Sequence, residues 1–392
     1  MELNTYFEPI NIDMVYPERG DIIKRMGDIF RTYQEDGAFP SLDKCHIAIL
    51  GIKEDRNAVN NKGCGEAPDE IRKKLYRLHI FQPNIQVADL GNIVQASTIE
   101  DTYFAVSEVV SELLKLKIIP IILGGGQDIS WANYKAYEKV GQIINLFCAD
   151  SRIDIGDADG QMNSHSYLSR MLLSQPNYLF NYTNVGYQSY FVDPDVVLLM
   201  DQLHFDTYRL GVIKENMKEV EPLVRNADMV SIDVSAIRQS DAPGNNNSSP
   251  HGFFGEDLCT ITHFAGMSDK TTSIGFYEYN PSLDNHGQTA HLIAHAIWYF
   301  IRGFYNRKHD YPYKEKHSYK KYIVPLKNES LDIIFYKSKK SDRWWMEIPC
   351  NEELRNRYER HFMVPCTYAD YEQALEDEIP ERFWRFYQKL MA

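Results

Sequence analysis

Residues 143–157 read I-I-N-L-F-C-A-D-S-R-I-D-I-G-D. The run 143–147 is apolar and short, the pattern of a strand buried on both faces of a parallel sheet. Carboxylates follow at once, at Asp150 and Asp154. In open α/β sheets, ligands gather just beyond the carboxyl ends of the strands. Acidic residues at such a place suit a metal or a cationic ligand. Arg152 lies between them, and a guanidinium has no lone pair to offer a metal.

Working outward, similar short runs recur at 46–52, 85–90, 118–123, 184–187, 229–234 and 273–277. Between them lie segments of helical period, at 68–78, 99–116, 128–137, 214–225, 256–265 and 289–304. In the last, Leu292, Ile293, Ala296, Ile297, Phe300 and Ile301 fall on one stripe. Strand–helix alternation of this kind predicts a central, mainly parallel sheet covered by helices on both faces, a three-layer α/β/α domain. After residue 304 the composition changes. Arg307, Lys308, Lys314, Lys316, Lys320, Lys321, Lys327, Lys337, Lys339, Lys340 and Arg343 are interleaved with Tyr, as on a solvated appendage. Strands are expected at 322–326 and 331–336 and a terminal helix at 368–389. The expected organisation is an N-terminal extension over 1–44, the α/β domain over 45–304, and an extension over 305–392 folded back on the core.

The chain has 392 residues, 44% hydrophobic and 25% charged, with 26 Tyr, enough for a large core. A net charge of −13 opposes non-specific nucleic-acid binding, which needs a basic face. The six cysteines form no C-x-x-C pair, and Cys148, inside an apolar stretch, reads as a free buried thiol. The opening M-E-L-N-T-Y-F-E-P has neither the basic nor the apolar region of a signal peptide, and no run reaches the ~20 apolar residues of a membrane span. The expectation is a cytoplasmic protein.

Three further stretches place polar groups at strand ends. L-G-G-G-Q-D-I-S at 123–130 carries Gln127 and Asp128 behind a glycine turn. S-I-D-V-S-A-I-R-Q-S-D-A-P-G at 231–244 puts Asp233 and Ser235 on one strand face. Y-E-Y-N-P-S-L-D at 277–284 ends a strand on Glu278. Taken singly, these carboxylates are ordinary caps or loop groups.

The four motifs in this order resemble the ureohydrolases: arginase, agmatinase and formimidoylglutamase. The resemblance leans to the last, because G-G-G-Q-D is similar to that branch's G-G-G-H-E and N-N-K-G-C-G-E-A-P-D-E-I-R at 60–72 is similar to its segment ending G-P-x-x-I-R. It spans about 45–304 and implies an arginase-like fold. It also implies two Mn²⁺ ions that activate water to attack a guanidinium or formimidoyl carbon. Asp150, Asp154 and Asp233 match family ligands. Gln127, Arg152 and Ser235 stand where the family has His, His and Asp.

The resemblance therefore implies a degenerate centre, with Asp150, Asp154, Asp233 and Gln127 as its remaining metal donors and none or one weakly bound ion. Asp154, Glu278 and His165 take the matching catalytic positions, Glu278 facing the substrate's cationic group and His165 serving proton transfer. Arg152 is expected to fill the vacated metal position as an internal cation among the aspartates. Three functions follow as expectations. The first is a catalytically impaired or inactive relative that keeps a cleft for a small amidine, guanidine or amino acid. The others are an active manganese hydrolase of linear amidines or guanidines, and an assembly protein. The resemblance further implies a homo-oligomer, while the charge and the lack of a long apolar run lead to the expectation of no nucleic-acid or membrane partner. His291 and His295, four apart on a helix, are expected as core-facing or interfacial histidines, since no H-E-x-x-H accompanies them. The loop Asn245, Asn246, Asn247, Ser248 and Ser249 is expected to rim the cleft.

Overall fold

The computed structural model describes residues 3–17, 25–80, 86–156, 160–312, 318–326 and 331–391. Asp157, Lys314, Lys316, Lys327 and the expected strand start at 85 lie outside the described residues. Ten strands among these residues form one sheet. They are β1 (Phe7–Glu8), β2 (Arg31–Thr32), β3 (Ile47–Ile52), β4 (Val87–Ile93), β5 (Ile119–Leu123), β6 (Ile144–Ala149), β7 (Leu179–Tyr187), β8 (Asp206–Arg209), β9 (Met229–Asp233) and β10 (Ser273–Tyr277). The order is β1-β4-β3-β5-β10-β9-β6-β7-β8, with β2 also on β4. All pairings are parallel except β1 on β4.

Period 2 divides the strand side chains between two cores. Ile47 and Ile49 of β3 join one cluster with Ile71, Leu258, Ile261, Ile293 and Ile297. Ala48, Leu50 and Ile52 join a second with Val106, Val110, Leu113 and Ile129. Helices Ala67–Leu75, Gly255–Met267 and Gln288–Tyr305 thus cover one face, and helices Ile99–Lys115 and Ile129–Lys139 the other. The expected three-layer α/β/α arrangement is present.

The expected strand at 184–187 begins earlier, at Leu179, and three further expectations are corrected. The helix at 214–225 is broken into Leu210–Glu215, a 3₁₀ turn Met217–Glu219 and Val220–Arg225, because Asn216 leaves the helical region with φ −145° and ψ 81°. The terminal helix is two helices, Tyr368–Leu375 and Glu381–Met391, with Pro380 in the break. His291 and His295 are not core-facing. Both are exposed, their rings stacked at 5.9 Å, because they fall on the face opposite the apolar stripe.

The C-terminal residues build a second, antiparallel sheet of β11 (Tyr319–Leu326), β12 (Leu331–Ser338), β13 (Trp344–Glu347) and β14 (Met363–Cys366). Its contacts with the core lie at the amino ends of the large sheet's strands. Arg360 pairs with buried Asp228 at 2.6 Å, one residue before β9. The His361 ring reaches the Ile143 carbonyl at 3.2 Å, just before β6, and packs on Phe180 of β7. Arg225 donates to the Trp344 and Cys366 carbonyls and lies over Trp345. Arg307 and Arg343 donate to core carbonyls of Gly266, Thr271 and Met267. These contacts hold the extension at the end of the sheet away from the carboxylates.

Candidate functional site

Four carboxyl groups meet beyond the carboxyl ends of neighbouring strands β6, β9 and β10. Asp150 follows β6, Asp233 ends β9, and Glu278 follows β10, while Asp154 lies in the loop after Asp150. Asp150 is 1% exposed, Asp154 3%, Asp233 6% and Glu278 2%. Left-handed backbone shapes the neighbouring turns. Gly124 and Gly125 have φ +81° and +78°, and a Cβ on Gly125 would stand 2.6 Å from the Glu54 carbonyl. Glu278 itself has φ +63°, uncommon for a side-chain-bearing residue, and its N–H donates to the Gly125 carbonyl at 2.9 Å.

Burial raises every one of these carboxyl groups, since removal from water disfavours the charged form. Glu278 is pushed up to about 7. Asp154 and Asp233 are held well above the usual carboxylate range by burial and then by the charge of Asp150. Asp150 is raised by burial, opposed by a hydrogen bond with Asp154. Nearby, Asp128 is pushed up to about 6 by burial, opposed by the Tyr103 hydroxyl, which donates to it at 2.5 Å.

The residues expected beside these carboxylates are engaged in ways the sequence did not show. The guanidinium of Arg152 lies 4.5 Å from the centre of the Phe191 ring. Its Nε is buried without a hydrogen-bond partner among the described residues. No ion pair within 4 Å joins it to Asp150, Asp154 or Asp233, so the expected bidentate cation among the aspartates is corrected. What Asp150 receives from Arg152 directly is its backbone N–H, at 2.8 Å. The charge itself acts only as a weaker, longer-range effect. The physical reason is that a guanidinium on an aromatic face keeps part of its hydration, whereas a fully buried one must shed it.

Ser235 shares a hydrogen bond with Ser151 at 2.9 Å, and its N–H donates to Asp233 at 2.6 Å. The Gln127 amide nitrogen reaches Cys148 Sγ and Ser231 Oγ, both at 3.3 Å. Gln127 Oε1 and Asp154 Oδ2 are buried and lack a hydrogen-bond partner among the described residues. Glu278 is held by the chain. Its Oε1 accepts from the Gln127 N–H at 3.0 Å and its Oε2 from Asn61 at 2.7 Å. His165 is half-buried, and burial followed by the charge of Arg152 brings it down to about 4. Its ring is therefore neutral at pH 7. The 245–249 loop turns back on residues 59–61, Asn246 and Asn247 donating to the Asn60 and Val59 carbonyls.

The sequence model of the Arginase family matches residues 45–302. This chain belongs to the arginase family. A formimidoylglutamase from Lysinibacillus sphaericus (strain C3-41) is 26% identical over 272 residues, covering 65% of this chain and 84% of that protein. One from Bacillus subtilis (strain 168) is 21% identical over 300 residues, covering 72% and 92%. Among solved structures, formimidoylglutamase from Bacillus subtilis subsp. subtilis str. 168 superposes with TM-score 0.65 at 19% identity, covering 76% of this chain and 99% of that one. Formiminoglutamase from Trypanosoma cruzi, solved with Mn²⁺, gives 0.64 at 19%, covering 73% and 99%. At these identities the structures establish the arginase fold.

Within this arginase-family chain, the side chains present do not suit a centre of two manganese ions. By the resemblance read in the sequence, Gln127, Arg152 and Ser235 stand at positions where an imidazole or carboxylate donor is expected. One of them, Arg152, brings a positive charge and no lone pair. Among the described residues, no group of three or more His, Cys, Asp or Glu side chains is arranged to hold a metal ion. Partners within the site escaped the sequence reading. Asn61 lies inside a stretch quoted for its glycines, and Phe191 is remote from Arg152 along the chain. No helix among the described residues is long and apolar enough to cross a membrane.

Proposed function

We propose that this formimidoylglutamase-like chain is a catalytically impaired or inactive arginase-family protein whose carboxyl cluster receives a small cationic amidine, guanidine or amino acid. The observation that carries the reading is the state of the changed positions. The Ser235 hydroxyl is paired with Ser151 and the Arg152 guanidinium lies on Phe191. Neither is directed as a metal donor. The unpartnered acceptors Gln127 Oε1 and Asp154 Oδ2 support a ligand that brings N–H donors, because buried acceptors left unpaired are unfavourable.

The same two oxygens favour a second reading, a hydrolase of linear amidines or guanidines that works with one manganese ion. Oxygen donors of this type suit a hard cation. A turnover screen separates the two. Protein supplied with Mn²⁺ is offered formimidoylglutamate, agmatine and arginine, and release of the hydrolysis products is followed. The first reading expects turnover absent or at most slightly above the protein-free rate, with no dependence on Mn²⁺. Manganese-dependent turnover of any of the three would establish the second.

A further inference from the structure

A cavity of about 660 Å³ lies in the wall beside the carboxylate cluster. It opens where β7 and β8 end and where residues 250–254 lead into the helix Gly255–Met267. Its charged lining is Arg209, Lys214 and Arg238 against one acid, Glu215. On a protein of net charge −13, such an excess of cations in one concave place is against the general trend.

The three cations differ in how far they are already compensated. Arg238 pairs with Asp241 at 2.8 Å. Among the described residues, Lys214 has only a distant ion-pair partner, Asp257 at 3.9 Å, and one carbonyl, that of Gly252, at 3.4 Å. Both lie over the ring of Phe254, Lys214 at 3.1 Å and Arg238 at 4.1 Å from its centre. Phe254 thereby draws two cations into the lining of one cavity, each held against its ring. Arg209 is exposed, and its side chain has no hydrogen bond or ion pair among the described residues. Its planar set of donors is free, and that geometry suits carboxylate and phosphate oxygens.

We propose that this cavity is a binding site for a small polyanion, a phosphate or a polycarboxylate compound, gathered by Arg209, Lys214 and Arg238. The neighbouring groove, which shares Arg238 and contains His291 and His295, also contains Asp241 and Glu256 and is electrostatically mixed. The anion cavity adjoins the carboxylate cluster through one segment. The Gln188 N–H donates to the Ser151 carbonyl at 2.9 Å, and its side chain donates to the His251 carbonyl at 3.1 Å.

The test is titration calorimetry of the full chain with inorganic pyrophosphate and, separately, with citrate, at low and at moderate salt. At least one is expected to bind, more weakly as salt rises. Whichever binds more tightly identifies the ligand as phosphate or carboxylate. Arg209→Gln, on an exposed side chain, is expected to lower the affinity about tenfold or more. Glu215→Gln is expected to raise it, and Glu256→Gln in the neighbouring groove to leave it unchanged. Binding of neither anion overturns the proposal, and so does a loss smaller than tenfold in Arg209→Gln protein whose melting temperature matches the parent.

Discussion

The guanidinium of Arg152 lies 4.5 Å from the centre of the Phe191 ring, while its own backbone N–H binds Asp150 at 2.8 Å. The residue thus serves the carboxylate cluster through its main chain and directs its charge to an aromatic face. Substituting its side chain leaves the N–H in place. Arg152→Ala is therefore expected to destabilise by only about 1 kcal/mol, the scale of a partly exposed cation–π contact, and not by the ~3–5 kcal/mol of a broken buried pair. Chemical denaturation at pH 7 measures it. A loss of the larger size would return Arg152 to the midst of the aspartates.

Glu278 follows a different logic, because both its oxygens already accept hydrogen bonds from Gln127 and Asn61. Glu278→Gln keeps one acceptor and sets an N–H₂ against a buried donor. The variant is expected to lose about 1–3 kcal/mol even without ligand. It should also lose any rise in melting temperature that an added guanidine gives the parent. An unchanged stability would mean that these two bonds are not formed in solution.

His361 makes the junction between the two sheets sensitive to acid. It is buried against Phe180, and burial followed by the charges of Lys270 and Arg360 holds it well below its ordinary value near 6.5. The unfolded chain then binds the proton more readily than the folded one. Stability is full above about pH 6.5 and falls as the pH drops below it. His361→Phe is expected to flatten that part of the stability–pH curve, although it also gives up the bond to the Ile143 carbonyl. A slope of the same size in both proteins would assign the acid sensitivity elsewhere.

Much of the fold was legible in the sequence, for a physical reason. β3, β5, β6, β9 and β10 lie within the sheet, buried on both faces, so they read as apolar runs. β1, β2 and β8 are short strands at or near the sheet's edges, and the last reads D-T-Y-R, with no periodicity to find. β13 and β14, four residues each, were missed likewise. The carboxylates Asp150, Asp154, Asp233 and Glu278 were legible because each follows or ends a strand. The tertiary partners within the site were not. Phe191 under Arg152, Asn61 on Glu278 and Ser151 on Ser235 are tertiary neighbours, and only the fold brings them together.

Restoring the family's donors tests what was changed. The combined variant Gln127→His, Arg152→His and Ser235→Asp supplies two imidazoles and a carboxylate to the three existing aspartates. Added Mn²⁺ is expected to raise its melting temperature, by the equivalent of about 2.7 kcal/mol at a hundredfold excess over the dissociation constant, and to leave the parent's unchanged. Equal responses would show that these three positions do not govern metal binding.

The most direct measurement is the metal content of the unaltered chain. Native protein is saturated with Mn²⁺, freed of excess ion by gel filtration, and analysed for manganese per chain. The account of a degenerate centre predicts well under one ion per chain, because the resemblance puts Gln127, Arg152 and Ser235 at three of the family's six donor positions. Two ions retained tightly per chain would contradict it.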